Sequence, residues 1–570
     1  MPLKLRAKTI FQQIYGVFKS VFFWMFSTDK HLLIISVALC VLSLSLNWGS
    51  SIFALGGPHD SLRYIGMAET ILEGGWLGEY NHMTLIRSPV YSLVLAINSL
   101  AGWRLHVLQH SIYLTSVLLL VAALRTIHVA RWRALIICLL CVFHPLTFYC
   151  TNYVVSEALY VSLATGVMAG CFGIFGAYKG PMVPYCFWLV ILSLSSALFW
   201  HARPEGAWII PFYAICFGFL LWDCRSRIRF FWVRIFALLF IPLFAVLLLG
   251  NHLASLNEKH YGIRVTNELA ESNFISALNW LTRLAPNASR PYVPVSKKAM
   301  ENAYEVSDHF ALLKPYLSRQ THGRGWAKFG CEWMGICNEL AGGWTVWAIR
   351  DAVASIGIYS SGLNASRFYG SVAREIGEAC TEGKIRYTKN PTGNFLAPPM
   401  RLTDVPRILI SSVRVFFLAF TLGDFALQPV DSDRLNPDLI KRYEKITHDQ
   451  RQDWPDNYWK MTDIHVKIYR LAQLAGGLLF LVTLAFFFFR RLKNRKARPF
   501  GPKFSLWQLM LCTLVFILSR IAIVGYLDAM SFFTQIRYLV VLYPALMVLL
   551  CLVLPPMDAL SKKGTSHGNP

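Results

Sequence analysis

Charge is scarce in this chain, and negative charge is scarcest. Only 15% of its 570 residues are Asp, Glu, Lys or Arg, where a soluble protein carries about 25%. That shortage excludes an ordinary solvated enzyme. Acids number 32 against 55 Lys and Arg, a formal charge of +23, while 55% of residues are hydrophobic and the mean hydropathy is +0.43. A basic nucleic-acid binder would need a solvated scaffold to carry that charge, and most of this chain is not one, so no nucleic-acid partner is expected. Internal repeats and low-complexity tracts are missing, which counts against a transporter built from paired halves. The 13 cysteines show no metal-ligand spacing. A cleavable signal peptide is not visible, because the first apolar stretch starts late and has the length of a span.

What the chain does have is a series of long apolar runs. A bilayer helix needs about 17 to 25 mostly apolar residues. Such runs occupy residues 31–54, 105–126, 134–150, 158–176, 184–200, 207–222, 230–250, 469–489, 505–526 and 535–555. Two stretches are ambiguous: 88–102 is short and opens near a proline, and 406–425 is interrupted by Arg407, Arg414 and Asp424. Basic residues cluster at Lys4, Arg6, Lys8, Lys19 and Lys30, at 125–133, at 225–234, at 490–503 and at Lys562 and Lys563. If neither ambiguous stretch crosses, ten spans place every cluster in the cytoplasm, where short loops collect Lys and Arg. If both cross, the clusters at 125–133 and 225–234 move outside.

The expectation is therefore an all-α polytopic membrane protein of about ten spans with both termini cytoplasmic. Residues 88–102 would be re-entrant or interfacial, and 406–425 an interfacial helix. Its parts are a basic cytoplasmic segment 1–30, a transmembrane catalytic module 31–250 whose outer loop 55–104 carries the site, and an extracytoplasmic mixed domain 251–467. C-terminal spans 468–556 follow, around a basic loop 490–504, then a cytoplasmic tail 557–570. Cys331, Cys337 and Cys380 fall in the outer domain, where a Cys331–Cys337 disulfide is one option.

With the topology charges and the outer domain set aside, seven acids remain: Asp60, Glu69, Glu73, Glu79, Glu157, Glu205 and Asp528. Seven bases accompany them: Arg63, Arg87, Arg104, Arg203, Arg470, Arg520 and Arg537. An isolated charge at a span boundary is ordinarily a headgroup anchor; a set drawn from four loops onto one face favours a site. In the first loop, Asp60 stands at a helix start, sharing a face with Tyr64 and Met67, and the helix ends at Gly74-Gly75. Taken alone, an Asp there reads as a helix cap.

The wider pattern changes that weighting. Asp60-x-x-Arg63-Tyr64 just after the first span is followed by Arg87-x-Pro89-x-Tyr91 and an apolar segment ending at Gly102. Pro145 and then Ser156-Glu157-Ala158-Leu159-Tyr160 come next, followed by Arg203-Pro204-Glu205-Gly206 and a late Gln535-x-Arg537-Tyr538 with Pro544. This resembles the GT-C superfamily of integral-membrane glycosyltransferases, in pattern the protein O-mannosyltransferases and the aminoarabinose transferases that modify lipid A. The match is good over 31–250, weak over 505–555 and absent in the outer domain. Glu157 stands where many relatives have Asp, and Ser61 where some branches carry a second acid; both departures blur the subfamily and the donor sugar. The resemblance implies a GT-C-like helical bundle, a polyprenyl-phosphate sugar donor, a catalytic carboxylate at Asp60 and a second acidic position at Glu157.

Chemistry fits those residue types. A polyprenyl-phosphate sugar leaves as phosphate without needing a proton, so the paired carboxylates of glycosidases are unnecessary. One base to activate the acceptor hydroxyl suffices, and Asp60 is the candidate. Attack opposite the phosphate makes the reaction inverting. Arg pairs two phosphate oxygens at once, which singles out Arg63, Arg87, Arg203 and Arg537, with Tyr64, Tyr91 and Tyr538 beside them as substrate-binding residues; snorkelling to headgroups is the alternative for the arginines. Glu157 would orient the acceptor or an Arg, or cap its helix. Glu205 reads as a local partner of Arg203. His106 and His110 share a helix face but read as a packed pair, so no cofactor is required and divalent metal stays open. The expected partners are the lipid-linked donor, membrane lipids and a glycan, lipid or protein acceptor, at a bacterial inner membrane with the site facing the periplasm. A flippase for lipid-linked sugars and a protein O-glycosyltransferase remain as alternatives.

Overall fold

The computed structural model describes residues 28–49, 61–225, 228–284, 291–320, 324–388, 400–423, 437–449, 456–493, 506–532 and 534–554. Among them all regular structure is helical, apart from one isolated bridge between Leu284 and Tyr387. The protein is an all-α polytopic membrane protein. Seven helical stretches of the described residues are long and apolar enough to cross a bilayer.

The first, α1 (Asp29–Asn47), starts where the Thr28 hydroxyl accepts from the His31 amide. The outer loop then forms α2 (Ser61–Leu72), stopped by Gly74 in the left-handed region at φ 80°, and α3 (Val90–Ala101). At 12 residues, α3 is about 18 Å long, too short to cross. Next come α4 (Leu105–Thr126), α5 (Arg131–Val142), α6 (Pro145–Thr151), α7 (Ser156–Ala177), α8 (Met182–Ala202), α9 (Ile210–Cys224, entered through a 3-10 turn at Gly206–Ile209) and α10 (Ile228–Tyr261). The apolar run at 134–150 is thus broken between α5 and α6.

α7 is the hub. Nearly all of it is buried, because its small residues let neighbours approach: a Cβ on Gly170 would sit 2.8 Å from the Leu192 backbone of α8, and Gly176 abuts Thr126 of α4. The second contact aligns one end of the bundle. There Arg125 and Arg131 pair with Asp29, Lys179 pairs with Asp223, and Arg133 donates to the Leu554 carbonyl. Arg234, which donates to the Tyr178 carbonyl, lies at this end as well. Arg104 donates to the Trp48 carbonyl at the other.

The block 251–467, expected on the outer side and so called the outer block, is helical where described. α11 (Ser272–Arg283), α12 (Lys297–Val306), α13 (Ala327–Met334), α14 (Trp344–Ser355) and α15 (Gly362–Thr381) enclose a separate core around Phe274, Leu278, Ile349, Val353, Phe368 and Ile376. Cys331 and Cys337 form a disulfide. Within the block Arg350 and Glu268 form a buried pair at 2.7 Å, and both reach the first outer loop: Arg350 donates to the His82 carbonyl and Tyr80 donates to Glu268.

Four helices complete the chain. α16 (Val405–Thr421) buries Ser411, Val415 and Ala419 and leaves Leu409, Ile410, Val413 and Phe417 exposed. α17 (Pro437–Thr447) straps the outer loop: Arg442 pairs with Glu69, and Asp449 bonds both Arg104 and His106. α18 (Asp456–Lys493) contains the run at 469–489, and α19 (Leu506–Met530) is the last of the seven candidate spans. The run at 535–555 is a 3-10 turn (Ile536–Leu542) leading into α20 (Tyr543–Leu552).

Candidate active site at the loop end of the bundle

Five charged side chains from separate parts of the sequence meet at the end of the bundle away from the basic clusters. Glu157 lies in the first turn of α7, where the helix dipole favours a carboxylate. Arg203 follows α8 in extended backbone, so its side chain turns back across the helix end. Its guanidinium is 3.0 Å from Glu157 and 3.0 Å from Glu205, and it donates to Ser156 Oγ at 3.2 Å. Arg520, on α19, is 2.8 Å from Glu205 and donates to the Tyr538 carbonyl. Arg537 lies 3.7 Å from Glu157 and donates to the Tyr538 hydroxyl at 3.3 Å.

Three guanidiniums against two carboxylates leave this cluster with one excess positive charge. Burial pushes the Glu205 carboxyl up, but Arg203 and Arg520 outweigh it and hold the group down to about 2. Burial likewise opposes the Arg203 charge, and Glu157 and Glu205 restore it, leaving its pKa well above the usual value. Aromatic faces frame the cations: the Tyr160 ring lies 5.8 Å from Arg203 and 5.9 Å from Arg520, and the Tyr538 ring 5.1 Å from Arg537. Such contacts favour a cation without consuming its N–H donors.

Below the cluster the surroundings become apolar. Tyr160 stacks on Phe199 at 4.4 Å and accepts from Trp208 Nε1 at 2.8 Å. Phe199 is also part of the wall of a cavity of about 380 Å³, lined among others by Leu192, Ile209, Leu220, Pro242 and Val246 of α8, the α9 turn, α9 and α10. Apart from Ser196 and Tyr213, that lining is made of apolar and cysteine side chains. The cavity adjoins the aromatic floor of the charged cluster.

Only some of the sequence-predicted residues meet. Glu157, Arg203, Arg537 and Tyr538 come together. Tyr64 reaches them indirectly, donating to Ser156 Oγ at 3.1 Å, the same hydroxyl that Arg203 bonds. Tyr91 instead packs edge-on to Tyr64 and donates to Gln109 while fully buried, and Arg63 donates to the Met83 carbonyl of its own loop. Arg87 closes the 3-10 turn Thr84–Ile86. Asp60 lies outside the described residues. Its neighbour Ser61 donates to the Val154 carbonyl at 2.8 Å, just before α7.

Several other loop-end charges serve structure: Glu69 with Arg442, Arg104 with Asp449, Asp528 with Ser411 and the Thr534 amide, Arg470 with the carbonyls ending α16. His106 bonds Asp449 and His110 bonds Ser43, so the two imidazoles have separate partners. No group of three or more His, Cys, Asp or Glu able to hold a metal ion occurs among the described residues. Sequence reasoning missed two members of the cluster. Arg520 was recognisable as a lone charge inside an apolar run, and the pairing of Glu205 with Arg203 is present but extends to Arg520 as well.

No family model matches the chain, and no curated protein does. Among solved structures it is similar to ArnT from Cupriavidus metallidurans bound to undecaprenyl phosphate, with 11% identity over 91% of this chain and 77% of that chain and a TM-score of 0.33. A likeness of that size carries no weight for the chemistry.

Proposed function

We propose that this protein is a membrane glycosyltransferase that moves a sugar from a polyprenyl-phosphate donor to an acceptor hydroxyl at the extracytoplasmic face, with inversion. The observation that carries the reading is the net-positive cluster of Arg203, Arg520 and Arg537 with Glu157 and Glu205, connected through Tyr160 and Phe199 to an apolar cavity. That pairing suits an amphiphile with an anionic head and a hydrocarbon tail. Phosphate oxygens would take N–H donors of Arg537 and Arg203, while Glu157 and Glu205 keep those guanidiniums aimed before the donor arrives.

Asp60, joined directly to the anchored Ser61, is the proposed base for the acceptor hydroxyl. Its position in the Asp60-x-x-Arg63-Tyr64 motif supports that role. The phosphate needs no proton to leave, so the cluster has only to stabilise its charge. The outer block 251–467, joined to the first outer loop by the bonds of Arg350 to the His82 carbonyl and of Tyr80 to Glu268, would cover the site and select the acceptor. The basic end of the bundle would face the cytoplasm, and cell-envelope glycan or glycolipid is the proposed acceptor class.

Purified protein in proteoliposomes, supplied with labelled polyprenyl-phosphate sugars and candidate acceptors, tests this. Label appearing on a glycan or lipid supports the reading. Label on protein would reassign the acceptor. Movement of the intact donor across the bilayer with no transfer would replace the enzyme with a flippase.

A further inference from the structure

Among its described residues the outer block carries one cluster of large rings open to its surroundings. Phe329 and Trp333 on α13 meet Trp344 at the start of α14, with centroids 5.8 and 5.7 Å from it and 6.1 Å from each other. Trp333 is 51% exposed and Phe329 36%. The Cys331–Cys337 disulfide brackets Trp333 and fixes the turn after α13. Rings held this firmly at a surface need a partner to cover them.

Their position relative to α19 supplies one. The 25 residues of α19 make about 37 Å of helix, longer than the roughly 30 Å hydrocarbon core. Its last turn therefore reaches the headgroup layer. The ring cluster is keyed to that turn. Gly342, two residues before Trp344, sits at φ 52° with the place of a Cβ only 1.9 Å from the Ser531 carbonyl oxygen, so no side chain fits there. Its amide donates to the Tyr292 carbonyl at 2.6 Å. Tyr292 in turn donates its amide to the Met530 carbonyl and its hydroxyl to the Asp528 carbonyl. Gly330 of α13 packs on Ala341, carrying Phe329 and Trp333 to the same level. Beside it, Ile408 of α16 packs on the Ala529–Met530 end of α19, and the exposed apolar face of α16 continues from there.

From this we infer that Phe329, Trp333 and Trp344 form an interfacial foot that seats the outer block in the lipid headgroup layer. The partner is a phospholipid surface. Flat amphipathic rings are favoured at that depth, with the ring body among upper acyl carbons and the indole N–H toward water. The foot would fix how closely the outer block stands over the bilayer, through contacts separate from the Arg350–His82 and Tyr80–Glu268 bonds.

The test uses the full-length protein in phosphatidylcholine–phosphatidylglycerol nanodiscs, with Trp333 replaced by a naphthalene-bearing fluorescent amino acid. A nitroxide on the lipid headgroup should remove about half of the emission, while aqueous iodide quenches weakly. A parallel comparison of unlabelled wild type with Trp333→Phe, using brominated lipids, should show less total tryptophan quenching in the variant. Strong iodide quenching with no effect of the lipid nitroxide would overturn the proposal. Protection from iodide by a soluble oligosaccharide, again without lipid quenching, would mark a glycan platform and overturn it equally.

Discussion

Replacing Arg537 with Met separates holding the donor from holding the fold. Arg203 carries two carboxylates at 3.0 Å, and Arg520 carries Glu205 and a carbonyl, whereas Arg537 stands 3.7 Å from Glu157. Its removal leaves Glu157 still paired with Arg203. At 3.7 Å the contact is longer than a hydrogen bond, so the melting temperature in detergent should fall less than when a 3.0 Å partner of Glu157 is removed. A guanidinium bound to a phosphate oxygen is worth about 1.5–3 kcal/mol, which predicts a roughly 10- to 150-fold weaker donor. The assay is initial transfer rate against donor concentration, with melting followed on the same preparation. Arg537→Met should raise the KM for donor by that factor and leave the KM for acceptor unchanged. An unchanged donor KM and kcat in a folded variant would refute the placement of the phosphate at this cluster.

Arg203→Met should behave differently, because it strips a partner from both Glu157 and Glu205. Breaking a buried pair costs about 3–5 kcal/mol, so a large fall in melting temperature is expected, and an unchanged one would contradict the bridging geometry. Leu243→Trp, in the lining of the cavity, should slow transfer from long-chain donors and spare short-chain analogues; equal effects on both would detach the cavity from the donor. In the outer block, burial raises the Asp351 carboxyl, but bonds from His82 and Trp326 outweigh it and leave the pKa lowered. The stability it contributes is fully present above the ordinary carboxyl value of about 4 and disappears as pH falls through the depressed folded value. Asp351→Asn should therefore flatten the loss of melting temperature below about pH 4, and an unchanged acid slope would show that the group contributes nothing.

Much of the architecture is legible in composition and periodicity. The seven candidate spans coincide with long apolar runs because solvent-free helices must be apolar on nearly every side. The broken segment α5–α6 was not legible, since a run of apolar residues does not reveal a turn at Phe143 and His144. The site was half legible. Glu157, Arg203 and Arg537 stood out as charges at helix ends, and charge at a span boundary is expensive enough to need a reason. Which of the fourteen boundary charges meet was not readable, because each meeting depends on the packing of helices far apart in sequence. Glu205 and Arg520 are 315 positions apart, and nothing in either neighbourhood names the other. Tyr91 illustrates the reverse: its motif spacing suggested a ligand contact, while its hydroxyl serves Gln109 inside the fold.

In the proposed reaction a carboxylate of the first outer loop activates the acceptor for sugar transfer from a lipid phosphate held by this arginine cluster. The most direct measurement compares wild type with Asp60→Asn for transfer from labelled polyprenyl-phosphate sugars, with donor binding and melting recorded on both. The variant should fold, bind donor as tightly as wild type and lose transfer by about 100-fold or more, the scale of a lost general base. Transfer undiminished in a folded Asp60→Asn protein would contradict it.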